Sequence, residues 1–357
     1  MNGRLILEDG SVFKGISFGS EENVAGEVVF ATGMTGYEES LTDPSYKGQI
    51  LIFTYPLIGN YGVPSKEYWE SDRIQTTGII VSTYNPTPSH FKSQQTLSDW
   101  LKKEKIPGLE IKDTRVLTQK IRTKGTMLGK IIFKKNIKLY DPNRENLLTY
   151  VSIQKIVKKG SGKKTILLID CGAKGSIARC LIKRGVRVII VPWDFDPFNS
   201  KLHLPGEQSR HLEGVRQLDG IVISNGPGDP KMAEKTIQTI KIALGKKIPT
   251  LGICLGHQLL SLAAGGDTRK LKFGHRSQNQ PCILVGSPRC FITTQNHSFE
   301  VFKIPPGFKT WFVNANDGSN EGIIHKKLPF MSVQFHPEAN PGPQDTEWVF
   351  DAFLKRI

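Results

Sequence analysis

The rhythm of apolar positions changes near residue 160. Downstream, four short apolar runs, "TILLID" (165–170), "VRVIIVP" (186–192), "DGIVIS" (219–224) and "KIPTLGI" (247–253), alternate with longer stretches of helical character. Runs of this length without polar alternation fit strands covered on both faces, and their spacing predicts an open, mostly parallel α/β sheet. "LGHQLLSLAAG" (255–265) follows the fourth run as a helix closed by Gly265 and Gly266. Upstream, "GEVVFATGMTGYEESLTDPSYKGQILIFTYPLIGNYG" (26–62) mixes short strand-like runs with dense glycine, proline and tyrosine. That pattern predicts a β-rich domain with many tight turns. Between the two halves lies "KKGSGKK" (158–164), where glycine, serine and like charges resist packing. The expected organisation is an amino-terminal domain over 1–150, a basic linker over 151–164 and an α/β domain over 165–357.

With 357 residues the chain is long enough for two full cores. Its net charge of +15 suggests nucleic acid until it is located along the chain. Residues 1–100 carry −6 (6 basic, 12 acidic), residues 101–164 carry +13 (18 basic, 5 acidic), and the remainder +8. The basic segment lacks interleaved aromatic platforms, so a solvated face is expected rather than a nucleic-acid groove. The start, "MNGRLILEDGSVF", has no basic region followed by a long apolar stretch, and no run approaches a membrane span. A cytoplasmic chain with no membrane contact is expected. Five cysteines, Cys171, Cys180, Cys254, Cys282 and Cys290, form no C-x-x-C pair, which points to reduced thiols.

Two segments imitate nucleotide sites without fitting them. "GSGKKT" (160–165) lacks the early glycine and the Lys-Ser/Thr of a phosphate loop and precedes its strand. "CGAKGSIARC" (171–180) follows a strand but does not match G-x-G-x-x-G.

The chemistry concentrates at "LGICLGHQ" (251–258), where Cys254 stands between Gly252 and Gly256 at the junction of strand and helix. A cysteine that only filled the core would need no flanking glycines. Gly-Ile-Cys-Leu-Gly has the spacing of the G-x-S-x-G nucleophile elbow, with sulfur for the hydroxyl. A helix N-terminus there favours the thiolate, the reactive form. Such a nucleophile needs a base. His336 in "MSVQFHPE" (331–338) ends a strand-like run, and Pro337 holds it extended, so Glu338 falls on the same side and can reach one ring nitrogen. His257, three residues after Cys254, is the rival base. For an oxyanion, the backbone N–H of Leu255 is one donor candidate, and "SNGPGDP" (224–230) is another source. There Gly226 and Gly228 expose bare backbone, and Asp229-Pro230 reads as a helix start.

Together "GICLGHQ", "NGPGDP" and "FHPE" resemble the class I glutamine amidotransferase family. "KFGH" (272–275) and "QNHSFEV" (295–301) extend the likeness. "FATGMTGYEESLTDPSYKGQI", "YPLIGNYG" and "IRTKGTMLG" resemble the amino-terminal domain of the small subunit of glutamine-dependent carbamoyl phosphate synthetase. The resemblance implies that Cys254 attacks the side-chain amide of L-glutamine, His336 shuttles the proton and Glu338 orients His336. It implies oxyanion N–H groups from Leu255 and Gly228. Residues Ser45, Gly226, Gly228, Leu255, Gln258, Asn296, Ser298 and Phe299 would hold glutamine. It further implies no cofactor in this chain, with ATP and metal on a large synthetase subunit in a hetero-oligomer that makes carbamoyl phosphate for pyrimidine or arginine synthesis. The chain departs from the family pattern with Ser298 for glycine, Ala31 for asparagine, and "GHRSQNQP" (274–281) for a glycine-richer run. Competing readings are an amidotransferase for another product, a regulatory subunit with a decayed site, and a basic nucleic-acid module.

Overall fold

The computed structural model describes residues 1–198 and 218–357. Two compact units divide the chain: Met1–Leu147 with Leu271–Gln278, and Leu148–Lys270 with Asn279–Ile357. The fold class is the expected one, a β-rich first unit and a mostly parallel α/β sheet in the second.

In the first unit seven strands close a barrel, in the order Asn2–Leu7, Val12–Ser17, Gly108–Glu110, Gly78–Val81, Gln49–Phe53, Val24–Ala31 and Met127–Ile132. Successive side chains feed different cores. Val28, Phe30, Ile50, Ile52 and Ile80 join Leu5 and Leu7 in one cluster, whereas Val29, Ala31, Leu51, Phe53, Ile79 and Val81 join Tyr37, Leu41 and Trp100 in another. Both faces of these central strands are covered, so their sequences run apolar without alternation.

The second unit is built on a ten-stranded sheet. Its parallel centre runs Arg187–Pro192, Thr165–Asp170, Gly220–Ile223, Thr250–Ile253 and Phe330–Val333. The strands Asn320–His325 and Phe308–Asn314 extend it antiparallel. Again the residues alternate between cores. Ile166, Leu168, Val188, Ile190, Val222, Leu251 and Ile253 pack with helices Gly175–Lys183 and Trp348–Leu354 on one face. On the other face, Leu167, Ile169, Ile189, Val191, Ile221 and Ile223 pack with helices Glu234–Gly245 and Leu255–Ala263.

The expected linker departs from its prediction. Val157–Lys159 forms an exposed strand paired antiparallel with Val188–Ile190, so part of the basic stretch is a sheet edge. Exposed lysines there disfavour pairing with another chain. Among the described residues no helix is long and apolar enough to cross a membrane.

Candidate active site

Strand Thr250–Ile253 ends at Cys254, and helix Leu255–Ala263 begins at the next residue. The turn between them is sharp. Cys254 takes φ 54° and ψ −104°, a positive-φ conformation that costs a residue with a Cβ about 1–3 kcal/mol. Backbone contacts hold it there: Cys254 N–H donates to Val333 O at 2.9 Å, and Gly256 N–H donates to Ser224 O at 3.0 Å. The flanking glycines are explained by the same closeness. A Cβ on residue 252 would lie 2.3 Å from Gly256 O, and one on residue 256 would lie 2.2 Å from Ile223 O. The glycines therefore let the strand end, the helix start and the neighbouring strand meet around the thiol, which is 2% exposed. Leu255 is the first helical residue, where the helix provides no acceptor for the backbone N–H.

Phe330–Val333 is the parallel neighbour of the strand leading to Cys254, with Gly252 opposite Ser332 and Ile253 opposite Val333. The two chains thus leave the sheet side by side at their carboxyl ends, where open α/β sheets collect chemistry. His336 follows three residues on, its N–H donating to Thr294 O at 2.9 Å. The segment does not stay extended as expected but turns after His336, with Ala339 N–H donating to His336 O at 3.1 Å, and the turn sets His336 Nδ1 2.6 Å from Glu338 Oε1. Lys174 Nζ lies 3.1 Å from the same oxygen and also donates to Ala339 O. All three side chains are buried.

Burial alone would disfavour the His336 imidazolium, but the Glu338 carboxylate and the Cys254 sulfur outweigh it and push the imidazole up to about 10. Burial would likewise raise Glu338, yet Lys174 and His336 hold its carboxyl down at about 2. With Nδ1 held by Glu338, the other ring nitrogen, Nε2, has no hydrogen-bond partner of normal geometry among the described residues. His257 is different. Its Nδ1 lies 2.9 Å from Ser332 Oγ, and burial pushes its imidazole down to about 3, so it is a neutral packing residue.

Three of the expected glutamine-holding residues meet Cys254 directly: Leu255 follows it in the chain, Gln258 N–H donates to its carbonyl at 3.3 Å, and Asn296 reaches its sulfur. Asn296 offers its carbonyl to the Cys254 S–H at 3.6 Å. Gln258 donates from Nε2 to Phe299 O at 2.9 Å and to Gln334 Oε1 at 3.0 Å. Both amide hydrogens of Gln258 are thereby used, which leaves its Oε1 as an acceptor for a ligand. Ser298 sits between Asn296 and Phe299 in strand Cys290–Lys303 and is not among the positive-φ residues, so serine replaces glycine there without backbone strain. Gly226 packs where a Cβ would meet Cys171 O at 2.0 Å and Leu255 Cδ2 at 2.8 Å. Gly228 takes φ +86°, and Asp229 caps the short turn Pro230–Met232 through Lys231 N–H at 2.9 Å. Ser45 belongs to the first unit, buried in the turn Pro44–Tyr46, with its N–H donating to Asp43 Oδ1 at 2.9 Å.

Two residues of the site escape a sequence reading. Lys174 belongs to "CGAKGSIARC", a segment that looks like a failed nucleotide motif. Its position is set by Asp170, whose Oδ1 accepts from Gly172 N–H at 2.9 Å and Ala173 N–H at 2.6 Å. Asn225 Oδ1 then receives the Lys174 N–H at 3.0 Å. The available signal was location, since Lys174 follows a central strand at its carboxyl end. Gln334, two residues before His336, is fully buried and donates to the Cys254 sulfur at 3.7 Å.

Comparison with known proteins agrees with this geometry. Residues 167–356 match the family "Glutamine amidotransferase class-I", and residues 5–131 match "Carbamoyl-phosphate synthase small chain, CPSase domain". The carbamoyl phosphate synthase small chain of Saccharolobus solfataricus is 45% identical, the match covering 99% of this chain and 97% of that one. The multifunctional protein ura1 of Schizosaccharomyces pombe is 44% identical over 98% of this chain. The mouse carbamoyl-phosphate synthase [ammonia], mitochondrial, is 43% identical over 99% of it. This chain spans only 17% of the ura1 protein and 23% of the mouse protein. It belongs to the carbamoyl-phosphate synthase small-chain family, and its carboxyl-terminal part belongs to the class-I glutamine amidotransferases.

Proposed function

We propose that this chain hydrolyses L-glutamine through a cysteine thioester and passes the ammonia to a large synthetase partner that makes carbamoyl phosphate. The observation that carries the reading is the buried Cys254 thiol on its positive-φ turn, beside an imidazole already paired through Nδ1 to Glu338 at 2.6 Å. In this mechanism the Cys254 proton resides on His336 Nε2, as the imidazolium that Glu338 stabilises, and the sulfur attacks the side-chain carbonyl carbon of glutamine. The carbonyl oxygen becomes an oxyanion held by the backbone N–H groups of Leu255 and Gly228. Collapse breaks the C–N bond as the His336 imidazolium gives its proton to the leaving nitrogen, releasing ammonia. Water, deprotonated by His336, then attacks the thioester and frees glutamate and the thiol. Gln258 contributes an acceptor oxygen to the bound substrate; Gly226, Asn296, Ser298 and Phe299 complete its site.

The thioester route uses thiol, imidazole and backbone N–H groups, so we assign ATP, metal and bicarbonate chemistry to the partner, and the working form to a hetero-oligomer or a fusion. Support for the partner comes from the small-chain relative and from the long multifunctional relatives. Four buried cysteines and an exposed one, all unpaired, fit a reducing, cytoplasmic setting. The ammonia-named mouse relative motivates a second reading, in which this fold serves a synthetase without hydrolysing glutamine. Glutamine-dependent release of glutamate by the purified chain, abolished in Cys254→Ala, supports the first reading. No glutamate release by the chain assembled with its synthetase would establish the second.

A further inference from the structure

A short relay of amides behind the thiol has a direction that the fold dictates. The Phe299 carbonyl can only accept, so Gln258 must turn its Nε2 toward it, at 2.9 Å. The second hydrogen on that nitrogen faces Gln334 at 3.0 Å, so Gln334 must present Oε1 there. Its remaining end, Nε2, is thereby aimed at the Cys254 sulfur, 3.7 Å away. Gln334 is fully buried, and its backbone N–H is bonded to Glu321 O at 2.9 Å, so it has little freedom to turn elsewhere.

The sulfur has a carbonyl, Asn296 O, at 3.6 Å and an amide donor, Gln334 Nε2, at 3.7 Å. The carbonyl suits the thiol, whose proton it accepts. Once that proton has gone to His336, the carbonyl can no longer bond the sulfur, while an N–H donor stabilises the negative sulfur and fixes its direction. We propose that Gln334 is a positioning residue for the reaction, holding the deprotonated Cys254 sulfur for attack through an N–H···S bond whose orientation is imposed by Phe299 O and Gln258. This inference rests on the reading of Cys254 as the nucleophile.

The test uses the full chain and two variants. Gln334→Glu keeps the length and an acceptor for Gln258 but loses the donor at neutral pH; Gln334→Met keeps the volume and removes both groups. Alkylation by iodoacetamide is followed at Cys254 by mass spectrometry across pH, with the exposed Cys290 as internal reference. The expected result is slower alkylation of Cys254 by about tenfold in each variant, with the pH profile moved to higher pH and Cys290 unchanged. For glutamine hydrolysis, kcat should fall by about tenfold while KM stays within about threefold for Gln334→Glu. Wild-type alkylation and kcat in either folded variant would overturn the proposal. So would a change confined to KM, which would make Gln334 a support for Gln258 alone. Failure of wild-type Cys254 to react would instead remove the nucleophile assignment.

Discussion

Lys174 Nζ lies 3.1 Å from Glu338 Oε1, an ion pair between side chains 3% and 0% exposed. The same carboxylate oxygen is 2.6 Å from His336 Nδ1, so one buried anion is shared by two cationic neighbours. Water does not reach this pair, and each charge depends on the others. Removing Lys174 therefore has two effects. Lys174→Met should destabilise the chain by about 3–5 kcal/mol, the usual result of stripping a partner from a buried pair. It should also loosen the orientation of His336 and lower kcat for glutamine. Urea denaturation and a glutaminase assay on the same preparation measure both; unchanged stability with lost activity would mean that the pair is dispensable for folding.

The titration of the same pair sets a pH window. His336 is raised from 6.5 to about 10, so its contribution to stability is complete below about 6.5 and is lost as pH rises through about 10. Glu338 is lowered from 4.5 to about 2, so its contribution is complete above about 4.5 and is lost as pH falls through about 2. The two overlap fully near pH 5–6. Calorimetric melting of wild type and Glu338→Gln should show the largest difference in Tm there, shrinking toward pH 10. A difference independent of pH between 5 and 10 would argue against a charged imidazole in the folded chain.

Cys254 holds a conformation suited to glycine. Against Cys254→Ala, which keeps the Cβ and the strain, Cys254→Gly should be more stable by about 1–2 kcal/mol after its greater unfolded-state entropy is counted. Both variants should be inactive with glutamine. An alanine variant as stable as the glycine variant would mean that the turn stores no strain.

Adding a methyl at Gly256 tests the elbow from the other side. Its Cβ would lie 2.2 Å from Ile223 O, so Gly256→Ala should separate the helix start from its neighbouring strand and cost about 3 kcal/mol. Loss of thiol reactivity should accompany the loss of stability. A fully active Gly256→Ala chain would contradict the packing described.

Thiol reactivity separates the five cysteines by environment. Burial raises the thiols of Cys171, Cys180 and Cys282, with Cys180 at about 11. A glutamine-mimicking electrophile should modify Cys254 first and spare those three. Cys290 is exposed and should respond to a general alkylating reagent without affecting activity. Inactivation that tracks Cys290 modification would relocate the nucleophile.

In the reconstituted complex, Cys254→Ser should abolish carbamoyl phosphate synthesis from glutamine while leaving synthesis from added ammonium. The hydroxyl is a poor nucleophile at this position, whereas under the proposed function ammonium would enter after the thiol's step. Loss of both activities in an assembled variant would assign Cys254 a role in coupling the chains.

Local chemistry made much of the site legible before any fold was known. Glycines on both sides of Cys254 signalled a close turn, and the two-residue spacing of His336 and Glu338 signalled their contact, although the chain makes it at 2.6 Å through a turn closed by Ala339 N–H on His336 O and not through extended backbone. Apolar runs from Ile166 to Val333 announced strands covered on both faces, and the sheet alternates their side chains between two cores. What required the tertiary structure were relationships across long separations in the chain. His257 was the weaker rival to His336 as base; both are buried, but His257 has no charge to offset the burial and its Nδ1 meets Ser332 Oγ, whereas His336 meets Glu338. Lys174 and Glu338 are 164 residues apart, and Gln334 meets Cys254 across 80. Sequence periodicity describes which face a residue occupies on its own element. Only the order of the parallel strands decides which carboxyl-terminal ends stand together, and burial then determines which of their charges persist.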